Sequence, residues 1–266
     1  MKNFFKVFLL LCTAVNLIIF ADCSKTGGEK LDEIKQAGKI VVYTDPNFPP
    51  FEFQGQNGVV GVDIEIAKAI AAEIGVDMEI IEAEFDSILM AINSKKGDIA
   101  ISGMTINDER RESVDFSFPY VDSIQYLILL SDSDISVMED LAGKRVGVAL
   151  GYTGQFIMED ETAEGVLAGK ETVITEYNSA MEAALDMQNG RIDAVVMDEL
   201  VAKTIAGSDE SLKAAELKYA NGSIATEQYG VVIPKGNKDL CDLIDKVVKR
   251  LVDEGKIEEW IKQFEQ

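Results

Sequence analysis

The strongest constraint on the fold is a rhythm, in which short β-branched runs alternate with stretches whose apolar residues recur at helical spacing. Lys39-Ile40-Val41-Val42-Tyr43-Thr44 reads as a buried strand running into a stiff, proline-rich loop, Asp45-Pro46-Asn47-Phe48-Pro49-Pro50-Phe51. Gly61-Val62-Asp63-Ile64-Glu65-Ile66-Ala67-Lys68-Ala69-Ile70-Ala71 is spaced as a helix, with Asp63 where an N-cap belongs and Gly75 at the end. Met78 to Ile81 is the next strand, Phe85 to Ile92 the next helix, and Ile99-Ala100-Ile101 a third buried strand. Such alternation implies a parallel sheet covered on both faces, an α/β fold. From Tyr126-Leu127-Ile128-Leu129-Leu130 a second unit of the same kind begins. Its strands are predicted at 144–148, 172–175 and 192–196; Gly151-Tyr152-Thr153-Gly154 reads as a tight turn, with a helix after it to about Glu161 and another from Ser179 to Met187. Tyr229 to Ile233 reads as a last strand. Residues 238–264 carry two amphipathic helices, with Leu240, Ile244, Val247, Val248 and Leu251 on one face.

The start of the chain is of another kind. Lys2 and Lys6 precede an apolar run from Val7 to Ala21, broken by Cys12, Thr13 and Asn16, and residues 1–22 read as an export signal peptide. Cys23 follows directly and resembles the lipoprotein site at which a thiol is acylated, although Phe20 and Asp22 depart from its usual leucine and small residue. The expected location is the periplasm or the outer face of the cytoplasmic membrane, with a lipid anchor at Cys23 and a tether over residues 23–30. Cys241 is then left without a partner, so no internal disulfide is expected.

Charge and composition exclude several functions. The 266 residues carry 47 acidic and 25 basic side chains, a net charge of −22, and loss of Lys2, Lys6 and Asp22 makes it one unit more negative. Such a surface repels nucleic acid and anionic headgroups. The chain has no histidine, which excludes histidine triads and most histidine-ligated metal sites, and no metal or cofactor is expected.

One stretch carries candidate chemistry. After the strand at 99–101, Ser102-Gly103-Met104-Thr105-Ile106-Asn107-Asp108-Glu109-Arg110-Arg111 offers a sharp turn, a helix cap at Thr105 or Asn107, and guanidinium groups just beyond. Arg presents a planar fork that matches both oxygens of a carboxylate. The same residues also fit a solvated helix start with two surface arginines.

With these motifs, the chain resembles the periplasmic solute-binding proteins of polar amino-acid ABC transporters, of the family 3 type. The resemblance rests on Thr44-Asp45-Pro46 with Pro50-Phe51-Glu52, Gly61 to Ala67, and Gly103-Met104-Thr105 with Glu109-Arg110 and Phe116-Ser117 to Tyr120. It continues in Leu150-Gly151-Tyr152-Thr153-Gly154, Asp193-Ala194-Val195 to Asp198, and Gln228-Tyr229-Gly230. It implies the two-lobed type II binding-protein fold, each lobe a mostly parallel sheet flanked by helices. Lobe 1 is expected at 31–121 and 228–266 and lobe 2 at 122–227, joined by crossing strands near 119–123 and 225–229. The implied ligand is a free L-amino acid, held in the cleft by a monomer and delivered to a membrane permease by cleft closure.

Position by position, the resemblance gives Arg110 the ligand carboxylate, helped by the backbone N–H of Thr153. Asp198 takes the ammonium with Thr105 and the Gly103 carbonyl, while Phe48 and Phe85 sandwich the aliphatic part. Asp45 faces the side-chain end and Met197 forms a soft wall, which favours arginine or lysine, with glutamine and histidine next. Each residue also has a plainer role: Asp198 as a helix cap, Asp45 as a turn starter, and Phe48 and Phe85 as core aromatics. Two other functions fit the same scaffold. One is a dehydratase or lyase with Glu199 or Glu227 as general acid, and the other a sensory ligand-binding module.

Overall fold

The computed structural model describes residues 29–265, so the signal segment and Cys23 lie outside the described residues. The chain opens with α1 (Glu29–Ala37) and β1 (Lys39–Thr44), followed by a small antiparallel sheet of β2 (Asn47–Phe48), β3 (Glu52–Gly55) and β4 (Gly58–Val60). Next come α2 (Val62–Ile74), β5 (Asp77–Glu82), α3 (Phe85–Asn93), β6 (Ile99–Ala100), α4 (Asp108–Ser113) and β7 (Val114–Phe116). The long β8 (Val121–Leu130) leads to β9 (Arg145–Ala149), α5 (Thr153–Ala163), β10 (Val173–Tyr177), α6 (Ala180–Gln188), β11 (Ala194–Asp198), α7 (Glu199–Gly207) and β12 (Leu212–Glu216). The chain returns through β13 (Thr226–Tyr229) and β14 (Val232–Pro234) and ends in α8 (Lys238–Asp253) and α9 (Lys256–Phe264).

Two sheets result. In the first, ordered β5-β1-β6-β14-β7, the first three strands are parallel, and the returning β14 adds antiparallel pairs with β6 and β7. In the second, ordered β10-β9-β11-β8-β12, β10, β9 and β11 are parallel and β8 pairs antiparallel with β11 and β12. The link between them is β8, whose first residues, Val121 to Ile124, pair antiparallel with β13. The two-lobed architecture therefore rests on two crossing strands.

Burial explains the elements. Ile40, Val42 and Thr44 of β1 are fully buried, as are Ile66, Ala67 and Ile70 of α2, because helices cover the parallel strands on both faces. In α8 the buried residues are Leu240, Ile244, Val247, Val248 and Leu251, the face expected from their spacing.

Three details differ from the sequence reading, and a choice that it left open is decided. Glu29 and Lys30, expected in the tether, belong to α1, where the Lys30 ammonium pairs with Asp98 at 2.5 Å. Asp63 is not the cap of α2: Gly61 holds that position, and the Asp63 carboxylate turns inward to accept the Gly103 N–H at 2.7 Å. The single strand expected over 229–233 is two. The chain changes partners at Gly230, where a Cβ would lie 2.8 Å from the Ile106 side chain. Of the two proposed caps for α4, Asn107 is used; its Oδ1 accepts the Arg110 N–H at 2.8 Å.

Candidate functional site

Loops at the carboxyl ends of β1, β6, β9 and β11 converge between the sheets, where ligands gather in open α/β folds. Each brings one or more of the expected residues. Asp45 follows β1, Gly103 and Thr105 follow β6, Thr153 starts α5 after β9, and Asp198 ends β11.

Arg110 reaches the cluster from α4 and is only 6% exposed. Its Nη1 donates to the Thr105 carbonyl at 2.7 Å and its Nη2 to the Gly151 carbonyl at 2.9 Å. One guanidinium thus joins a loop of the first lobe to a loop of the second. Its carbon lies 5.5 Å from the centroid of the Phe85 ring, within range of a cation–π contact. Burial lowers the Arg110 pKa, while the charges of Asp198 and Glu227 oppose that shift. The group stays a cation.

Facing it is a pair of buried acids. Asp198 stands at the cap position of α7 but makes no cap bond; its carboxylate accepts from Gln125 Nε2 and from the Tyr229 hydroxyl, both at 2.6 Å. Glu227, on β13, accepts from the Thr105 hydroxyl at 2.7 Å and from Gln125 Nε2 at 2.6 Å. Burial, and then the charge of Asp198, raise the Glu227 pKa to about 8, and burial also raises that of Asp198. Two acids this close resist double ionisation unless a cation joins them.

A second acid set lies under the β6 turn. Ser102 Oγ donates to Glu52 Oε1 at 2.7 Å, and the Tyr120 hydroxyl donates to Asp63 Oδ2 at 3.0 Å. Glu52 Oε2 and Asp63 Oδ1 have no other donor, and a proton on Glu52 lets the two carboxyl groups bond to each other. Burial raises Asp63 to about 6 and Glu52 well above its usual range. These groups fix Gly103, which sits at φ +52 with the Phe48 ring against it.

The aromatic residues lie together. Phe48 and Phe85 are buried, but the ring that meets both is Tyr152, with centroids 3.9 Å from Phe85 and 5.5 Å from Phe48. The Tyr152 hydroxyl donates to Asp45 Oδ2 at 3.2 Å, and Asn47 Nδ2 donates to Asp45 Oδ1 at 2.6 Å. Asp45 is 1% exposed, and burial raises its pKa to about 6. Beside these rings a cavity of about 220 Å³ is lined by Phe85, Met104, Arg110, Gly151 and Phe156 among others.

Met197 is buried in the core that also holds Phe48, Phe85 and Tyr152, but on the other side of its strand from Asp198. Successive strand residues face opposite sides of a sheet, so Met197 joins the core with Val195, away from the face of Ala194 and Val196 that Asp198 continues. The sequence reading gave Glu227 no binding role, passed over Gln125, and quoted Tyr152 and Tyr229 within motifs without giving either a role. Three of these lie on the crossing strands, and the available signal was polar residues inside otherwise buried strands. Among the described residues no three Asp, Glu or Cys side chains are grouped to hold a metal ion, and no helix is long and apolar enough to cross a membrane.

Residues 40–266 match the model of the bacterial extracellular solute-binding proteins, family 3. The chain is 30% identical to the arginine-binding extracellular protein ArtP of Bacillus subtilis, over 85% of this chain and 86% of the relative. It is 29% identical to the L-cystine-binding protein TcyJ of Escherichia coli, over 86% and 83% of the two chains. Among solved structures, an amino-acid ABC transporter substrate-binding protein of Streptococcus pneumoniae, AbpA, bound to L-arginine, superimposes with a TM-score of 0.80. The identity there is 34%, over 88% of this chain and 97% of the other. The family consists of solute-binding proteins, not enzymes, so Glu227 is not read as a general acid. The match over nearly all the described residues, together with two sheets joined by crossing strands, makes this chain a member of the bacterial extracellular solute-binding proteins, family 3.

Proposed function

We propose that this protein captures a free basic amino acid, arginine or lysine before glutamine or histidine, and delivers it to the permease of an ABC transporter by closing its lobes over the ligand. The observation that carries the reading is the meeting, in one buried cluster, of the Arg110 fork and the acids Asp198 and Glu227. A zwitterion removed from water needs both of its charges paired. Arg110 and the Thr153 N–H at the start of α5 take the carboxylate; Asp198, Thr105 and the Gly103 carbonyl take the ammonium. Glu227 adds a second acid to the ammonium side. Phe48 and Phe85 hold the side-chain stem and Asp45 its far end. Relatives named for arginine and a neighbour bound to L-arginine support the basic side chain.

With α1 included, the lobes span 29–121 with 228–266, and 122–227, and the ligand binds their closed arrangement more tightly than the open one, which couples binding to closure. The protein acts as a monomer, anchored outside the membrane through acylated Cys23. Substitution of Cys23→Ala should release it to the soluble fraction.

The test is to unfold and refold the chain without residues 1–23, to remove carried ligand, and to follow its melting against all twenty amino acids. A ligand of the folded state alone adds about 4 kcal/mol at a thousandfold excess over Kd. Strong stabilisation by arginine or lysine, lost in Arg110→Ala, upholds the reading. A well-folded sample that no amino acid stabilises, by melting or by calorimetry, overturns it.

A further inference from the structure

We propose that Tyr152 is a built-in occupant of the side-chain slot, and that its displacement by the incoming ligand decides which side chains the site accepts. The proposal deepens the amino-acid reading above and rests on it for the ligand.

The Tyr152 ring stacks on Phe85 at 3.9 Å with 22° between planes, and lies 5.5 Å from Phe48 with 33° between planes. Its hydroxyl ends on Asp45 Oδ2 at 3.2 Å, and the residue is 5% exposed. A flat apolar body between two aromatic neighbours, with a donor at its tip on a carboxylate, describes how the slot would hold an aliphatic stem ending in nitrogen. Tyr152 makes those contacts from within the chain. Its backbone is relaxed at φ −82 and ψ 160, and the turn that aims it across the cleft is made by Gly151 at φ +80.

The slot cannot simply widen to hold both. Phe48 is 1% exposed and packed so closely on Gly103 that a Cβ there would lie 2.2 Å from its ring. Gly103 is tied in turn to buried Asp63. Yielding therefore falls to Tyr152, whose side chain can turn about Cα–Cβ while its helix stays in place. A long side chain must expel the ring and replace its bond to Asp45, whereas a short one leaves the ring where it is. Arginine and lysine carry a donor that replaces that bond; a long apolar side chain does not, and leaves the buried Asp45 oxygen without its donor.

The experiment compares wild type, Tyr152→Ala and Tyr152→Phe by calorimetry with arginine, lysine, norleucine and alanine. It also tests p-cresol as a soluble stand-in for the lost side chain. Expected in Tyr152→Ala are a rise of about tenfold in affinity for arginine and lysine, little change for alanine, and binding of p-cresol that wild type lacks. Tyr152→Phe, which keeps the ring and loses the bond to Asp45, should gain only part of that rise. A fall in arginine affinity in both variants overturns the proposal, because the ring would then hold the ligand rather than compete with it. Equal affinities throughout, with no p-cresol binding, overturn it as well. If no protein binds any amino acid, the amino-acid reading fails and takes the ligand part of the proposal with it. The p-cresol arm reports separately whether the ring fills a slot.

Discussion

Thr105 and Thr153 meet hydroxyl to hydroxyl at 2.8 Å, one from the loop after β6 and the other from the first residue of α5. Thr105 passes its own proton to Glu227 at 2.7 Å, so the bond between the lobes continues onto the crossing strand β13. In Thr105→Val the buried Glu227 oxygen keeps its place and loses its donor. The expected cost is about 1–3 kcal/mol, the usual penalty for an orphaned buried group, read as a lower urea midpoint with an unchanged slope. Thr153→Ser keeps the hydroxyl and should stay within roughly 0.5 kcal/mol of wild type. Equal stability of Thr105→Val and wild type would show that Glu227 finds another donor.

Stability should fall as pH rises from about 4 to 8, opposite to the usual behaviour of paired carboxylates. Burial raises Asp45 and Asp63 to about 6 and Glu227 to about 8, above the ordinary values of 3.8 and 4.5 for the two residue types. Groups raised on folding bind more protons in the native state, so their contribution is complete below the unfolded pKa and is lost as pH climbs through the folded one. Asp193 and Asp140 are lowered, by Arg145 and by the Ser136 N–H respectively, and act in the other direction on the acid side. The urea midpoint should therefore peak near pH 4. Glu227→Gln keeps an acceptor for Thr105 and should flatten the decline between about pH 6 and 8, above the range of Asp45 and Asp63. A midpoint that rises steadily from pH 5 to 8 would contradict the assignment.

Gly103→Ala should cost more than Gly190→Ala, although both residues have positive φ, +52 and +72. A left-handed backbone costs a residue with a Cβ roughly 1–2 kcal/mol in either place. At Gly190 nothing lies within 4 Å of the new atom, while at Gly103 it would meet the Phe48 ring at 2.2 Å. Overpacking adds about 1–3 kcal/mol. Urea titration of the two variants measures the difference, and equal losses would mean that the Phe48 ring moves freely.

The alternation of strands and helices was legible because hydrophobic period is a local property, and the spacing in α8 alone names its buried face. The loops at Asp45, Gly103, Thr153 and Asp198 were legible because parallel strands deliver their carboxyl ends to one side. Asp63 was misread as a cap because its partner, the Gly103 N–H, is 40 residues away. Met197 and Asp198 were read as facing one ligand, whereas adjacency along a strand is opposition across a sheet. Glu227 and Gln125 meet only when β8 and β13 cross, and no local pattern in either strand announces that meeting. Tyr152 was visible in its turn, but its reach to Asp45 depends on how the two lobes face each other.

Arg110→Lys separates charge from shape. The guanidinium fork spans Thr105 O and Gly151 O at 2.7 and 2.9 Å, on carbonyls from different lobes. Lysine keeps the positive charge opposite Asp198 and Glu227, so the buried acids keep a counter-charge and stability should fall by no more than roughly 1–2 kcal/mol. A single ammonium cannot present two parallel donors to a carboxylate while also bridging the loops. The affinity for the amino acid should drop about a hundredfold, a difference of about 2.7 kcal/mol, measured by calorimetry on refolded protein. Arg110→Ala, which also removes the counter-charge, should lose both binding and stability. Should Arg110→Lys bind as wild type does, recognition of the carboxylate lies with the Thr153 N–H and the start of α5, and the fork serves only to join the lobes.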